Sequence, residues 1–432
     1  MHYNTTGVTF PGIPFILIGF NEHIAWSLTN VGGDAVVDWY NETIHPNGTH
    51  YYYNGSWYKI NTYKTSIYVK GGSIVEFTIR ETIHGPILTD IISNKYSDEH
   101  PGIHLSLKWT GTHTPLDGTY NIIKAIYGIN RASNWTQFNN SLAYWDAPPQ
   151  NFVYADDQGN IAMTVAGAFP IRKQGVSGNP DGNLTGRFIQ PGDGTGEEWA
   201  GFIPYGKVPQ SLNPKQCYLA SANQRSINSS YPYYLGTNSW DPGYRAREIN
   251  RILKSKNNFT MDDFKAMQAD NYDYSASQFL PIIIDVWNYS LSKGDKYTSD
   301  VKEAMDELYK WYKSDQKFIM NRSWIGPTIY WKWLDFYQKN TWDDEFSNWG
   351  TTGLKYPDIK ILEKITKNEP NSKWFNDTTI SGTQDRNYTI IKSINDTIEW
   401  LKQNVGPDIS QWVWGSIHKI YFEEYKHFAW RF

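Results

Sequence analysis

Cysteine is nearly missing: Cys217 stands alone in 432 residues. An internal disulfide framework is thereby excluded, and stability has to come from buried side chains. A lone thiol of this kind is expected to be a buried, inert residue and not a nucleophile. Long apolar runs are missing too. The longest, "IPFILIGF", falls far short of the roughly 20 residues that cross a bilayer, so no membrane span is expected. Charge is sparse, at 19 % of residues against about 25 % in ordinary soluble domains. With a net charge of -4 and no run of Lys or Arg, the chain carries no electrostatic footprint for nucleic acid or an anionic membrane surface. Several catalytic signatures are also absent: GxSxG, HExxH, GxxxxGK[ST] and a strand-linked GxGxxG. Only the weak pattern SxxK recurs, in "SLSK", "SDVK" and "SDQK", without the SDN and KTG partners that would give it meaning.

Aromatic residues are abundant, at 16 % of the chain with 20 Trp and 31 Tyr. Rings of that size bury large apolar areas, so they are expected mainly in cores. A single core stops growing at roughly 250 to 300 residues, so a chain of this length needs more than one. Asn-X-Ser/Thr recurs along the whole sequence, at Asn41, Asn134, Asn228 and Asn376 among others. If glycosylated, these sequons put the protein outside the cell or on its surface, although the chain shows no leader peptide.

Periodicity divides the sequence near residue 244. Up to there, strands and turns dominate. In "SIVEFTIRE", Val75, Phe77 and Ile79 alternate with polar residues, predicting a strand with one buried face. "PFILIGF", "IAWSLTNV", "TSIYVK", "NFVYADD" and "NIAMTVAG" read as further strands, and "NIIKAIYGI" and "NWTQFNNSLAYW" as helices. Beyond it, "REINRILK" and "VKEAMDELYKWYKS" have helical spacing, and Thr260 with Asp263 forms a capping pair ahead of "FKAMQ". Strands followed by helices predict an α+β fold, with residues 1–244 as a β-rich core and 245–432 as a helix-rich extension packed on it.

Two acidic clusters invite a metal reading. Asp98, Glu99, His100 and His104 are split by Pro101 and Gly102, which break any helix that would align the two His, so a surface loop is expected. Asp34 and Asp38 offer the oxygen donors that Ca²⁺ prefers.

The most specific signal is a set of blocks in fixed order: "PGIPFILIGFNEHIAWSLTNVGGD", "LSLKWT", "NWTQFNNSLAYWDAPPQNFVYADDQGNIAMTVAGAFPIR", "YLASANQ", "GYRAREINRIL" and "WVWGSIHKIYF". Together they resemble the β-chain of the penicillin acylase family of N-terminal-nucleophile hydrolases, over nearly the whole length. The resemblance implies an αββα sandwich, here incomplete, and hydrolysis of a linear amide. The amide would join an acyl group to a small amine such as a β-lactam nucleus or homoserine lactone. It implies an N-terminal Ser whose own α-amine, with an ordinary pKa of about 7.7 to 8.0, serves as base. It implies that the oxyanion is held by the backbone N–H of Asn30 and the side-chain amide of Asn223, with Arg245 orienting Asn223 and the α-amine, and that calcium sits at Asp34, Val36 and Asp38. The Asp34 to Asp38 interval is one residue longer than the family's spacing.

No Ser stands where the family has its nucleophile. The first reading is therefore a β-subunit whose Ser and α-chain come from a neighbouring or upstream polypeptide. A second is a truncated, inactive member. A third, from another class, is a glycosylated surface protein that binds glycans or partners through exposed Trp and Tyr. Residue by residue, Asn30 and Asn223 could equally cap turns, and Arg245 could pair with Glu248 on the following helix.

Overall fold

The computed structural model describes residues 3–32, 36–91, 102–112, 121–173, 184–236, 240–346 and 356–420. The chain divides into two compact units, Met1–Ala246 and Arg247–Phe432.

The first unit is organised around a six-stranded antiparallel sheet. Its order is Thr5–Val8, Ile18–Asn21, Ile24–Asn30, Gln150–Asp156, Ile161–Ala166, Gln210–Leu212. The central pair runs in register from Ile24↔Asp156 to Asn30↔Gln150. Alternation along these strands sends Ile24, Trp26, Phe152 and Tyr154 to one face. There they pack with Ile126, Ile129 and Phe138 of the helices Ile122–Arg131 and Trp135–Leu142. Val31, Val165, Phe169 and Ile203 form a separate cluster. "PFILIGF" is strand only from Ile18, because Pro11 and Gly12 open a turn ahead of it.

A smaller sheet, Leu105–Trp109, Val37–Asn41 and Gln190–Pro191, and the antiparallel pair Pro170–Lys173 with Glu198–Phe202 bury polar groups. His84, with no exposed surface, bridges Glu42 and Glu198, its Nδ1 2.9 Å from Glu42 Oε1 and its Nε2 2.9 Å from Glu198 Oε1, and stacks on Tyr40 at 3.8 Å. The hairpin Asn61–Ile67 with Val75–Thr82 departs from the sequence expectation. Phe77 and Ile79 are only half-buried, Val75 is 42 % exposed and the whole of Asn61–Ile67 is exposed. The two-residue strand Gly85–Pro86 completes its sheet.

The second unit is helical. Tyr274–Ser292, Ser299–Lys313, Gly326–Phe346, Ile359–Asn368 and Arg386–Asn404 enclose one core. Trp311, Trp333, Trp342 and Trp412 are fully buried there, and Trp333 stacks on Tyr337 at 4.6 Å. The Thr260–Asp263 pair forms a reciprocal capping box at the start of Met261–Gln268.

Candidate active site

Asn30 is the last residue of Ile24–Asn30. Antiparallel pairs alternate between those that exchange backbone hydrogen bonds and those that do not. Val31 N donates to Pro149 O at 3.3 Å, which makes Asn30↔Gln150 a pair of the second kind. The N–H and C=O of Asn30 therefore both point away from the Gln150 strand. On that side the neighbouring strand Ile18–Asn21 pairs with Trp26 and Ala25, well short of Asn30.

Asn223 meets Asn30 on that same edge. Its Nδ2 donates to Asn30 O at 2.9 Å. The residue sits at φ +63°, in the left-handed region that Asn tolerates better than most side chains. Arg245 fixes which end of the amide is which. A guanidinium only donates, so the atom that receives Arg245 Nη2 at 3.0 Å is Asn223 Oδ1, and the two amide hydrogens face the other way. One of them bonds Asn30 O, which leaves the second for a ligand.

Arg245 is held in turn by Ala222 O at 2.9 Å and by Asp241, through Nη2 at 2.8 Å and Nε at 3.1 Å. Asp241 N donates to Asn223 O at 3.0 Å. The Arg245–Glu248 alternative is not realised: Glu248 is taken by Arg251, one turn further along the helix Tyr244–Leu253.

The strand end is braced from behind. Thr29 Oγ1 and Ser221 Oγ lie 2.6 Å apart, and Ser226 Oγ donates to Asn151 Oδ1 at 2.6 Å. Fully buried Asn151 gives its Nδ2 to Asn30 O at 3.2 Å, and Gln150 Nε2 donates to Asn30 Oδ1 at 2.9 Å. The structure thus brings Asn30, Asn223 and Arg245 together as a set of N–H donors backed by a cation. Such a set can stabilise a developing oxyanion; it holds no base.

Asp241, Asn151 and Gln150 were missed by sequence reasoning. Asp241 had a visible signal, lying four residues before Arg245. Asn151 had another, as an amide directly ahead of the apolar run "FVYA" in its strand.

Asp34, like Asp98, Glu99 and His100, lies outside the described residues. Val36 O accepts from Thr110 N at 3.1 Å. Asp38 is fully buried, with both oxygens bonded to Arg172 and one also to Trp199. The Asp38 carboxylate therefore does not fit a calcium ion. Cys217 also departs from expectation. It is exposed, at φ +60° in a turn closed by its N–H on Pro214 O at 2.9 Å.

A model of the penicillin amidase family matches residues 1–429. An acyl-homoserine lactone acylase QuiP of Pseudomonas syringae is 30 % identical over 71 % of this chain and 34 % of its own length. QuiP of Pseudomonas aeruginosa is 24 % identical over 96 % of this chain and 49 % of its own. The penicillin G acylase of Escherichia coli is 28 % identical over 78 % of this chain and 38 % of its own. The matches thus span between about a third and half the length of these curated relatives. Among solved structures, a thermostable penicillin G acylase from Alcaligenes faecalis superposes with a TM-score of 0.69 at 22 % identity, covering 95 % of this chain and 74 % of that one. The fold is therefore that of penicillin acylase.

Proposed function

Because this chain belongs to the penicillin amidase family, we propose that it supplies the oxyanion-binding half of an amidohydrolase acting on linear acyl amides. The observation that carries the proposal is the hydrogen bond from the Arg245-oriented amide of Asn223 to Asn30 O, on the edge to which the strand register also turns the Asn30 N–H. As a nucleophile adds to an amide carbonyl, charge collects on the carbonyl oxygen. Donors fixed in advance on that oxygen lower the barrier, each by about 10²- to 10³-fold in kcat. Arg245 acts through Asn223: holding Oδ1 keeps Nδ2 aimed outward, and its charge polarises the amide.

In this proposal the attacking hydroxyl belongs to a serine outside these 432 residues, on an upstream or separate α-chain-bearing polypeptide, with its α-amine as base. Substrates are acyl amides of small amines. Relatives named as acyl-homoserine lactone and penicillin G acylases support that class. The sequons support an extracellular or cell-surface location, and added hexose mass on the natively produced protein would test it.

The test of activity uses protein produced from its native locus, with N-acyl-homoserine lactones and phenylacetyl amides as substrates and amine release as the readout. The proposal expects release of the free amine from at least one of them. Absence of hydrolysis with every acyl group tried would end it.

A further inference from the structure

We propose that Arg172 is the resident cation at Asp38, and that this part of the molecule folds and holds its shape without calcium. Calcium takes about six to eight oxygen ligands at roughly 2.3 to 2.6 Å. The geometry at Asp38 leaves neither the oxygens nor the room. Asp38 Oδ1 accepts from Arg172 Nη2 at 2.6 Å, and Oδ2 accepts from Arg172 Nε at 2.8 Å and from Trp199 Nε1 at 2.6 Å. This is the two-pronged pairing for which a guanidinium is shaped.

Gly186 closes the pair from above. At φ +68°, a Cβ on it would stand 2.1 Å from Asp38 Oδ1 and 2.6 Å from Arg172 Nε. Only a bare backbone fits that contact, and an ion with its own ligand shell does not.

The sequence shows how Arg172 comes to be there. It lies on Pro170–Lys173, where the pairing with Glu198–Phe202 shifts register between Ile171 and Arg172. An irregularity of this kind re-aims the side chain that follows it. Arg172 is itself 5 % exposed and does not give up its proton. A divalent ion could not share Asp38 with it; it would have to break this buried pair and displace the guanidinium.

The test uses the full chain and does not depend on amide hydrolysis. Terbium replaces calcium at oxygen sites and emits when a nearby indole is excited, and Trp199 is bonded to Asp38. The proposal expects the same Tm in excess EGTA and in millimolar Ca²⁺, and no indole-sensitised terbium emission that Ca²⁺ competes away. Arg172→Met should lower Tm by about 5 °C or more, as breaking a buried pair does. Arg172→Lys, which keeps the charge, should recover part of the loss. A rise in wild-type Tm on adding Ca²⁺, or competed terbium emission that Asp38→Asn abolishes, would overturn the proposal. So would an Arg172→Met variant as stable as wild type, and this would hold even if the hydrolase reading were correct.

Discussion

His84 shows what a single side chain contributes when it is fully enclosed. Burial by itself pushes its pKa down, but the hydrogen bonds to Glu198 and Glu42 outweigh that, and the folded value lies above the ordinary 6.5. A group with a raised folded pKa stabilises fully below its unfolded pKa, and that stabilisation is lost as pH rises through the folded value. Urea unfolding should therefore show stability falling as pH is raised from about 6.5 upward. A His84→Gln variant should flatten that slope, and an unchanged slope would remove His84 as its source. None of this was legible in the sequence, because "TIHG" gives no hint that two distant glutamates converge on its ring. By contrast, the block order alone singled out Asn30, Asn223 and Arg245, which the fold brings into contact. What the blocks could not convey was the bracing by Asp241, Asn151 and Gln150, since hydrogen-bond partners far apart in sequence leave no spacing to read.

At the scale of elements, helices were read more faithfully than strands. The helices at Ile122–Arg131 and Trp135–Leu142 fall where apolar spacing put them, and the Thr260 capping box fixed another start. The strand Val75–Thr82 misled, because alternation states that a strand has two unlike faces and says nothing of whether anything covers one. Its hairpin is expected to exchange amide hydrogens faster than Gln150–Asp156, which is bonded on both sides. Hydrogen exchange by mass spectrometry resolves the two, and equal protection would contradict the exposure seen. In the helical unit, Trp333 fills the core against Tyr337, with its Nε1 on Ile390 O at 3.2 Å. Trp333→Ala should cost about 3 to 5 kcal/mol in denaturant unfolding. A loss below about 1 kcal/mol would mean that the core collapses around the gap.

The whole molecule reads as two cores of different chemistry, one sheet-centred and one helical. The change in periodicity marked that difference near residue 244, and the structure divides after Ala246. Fold class was legible because strands precede helices and the blocks keep their order; the closed Asp38–Arg172 pair was not, because a carboxylate's partner is chosen by the fold.

The central claim is that Asn223, held by Arg245 beside the Asn30 N–H, stabilises the oxyanion of amide hydrolysis. The most direct measurement is the steady-state kinetics of the natively produced protein and its Asn223→Ala variant on the amide it cleaves best. The account predicts a fall in kcat of about 10²- to 10³-fold with KM little changed, the signature of a contact made chiefly in the transition state. A variant that retains the wild-type kcat would contradict it.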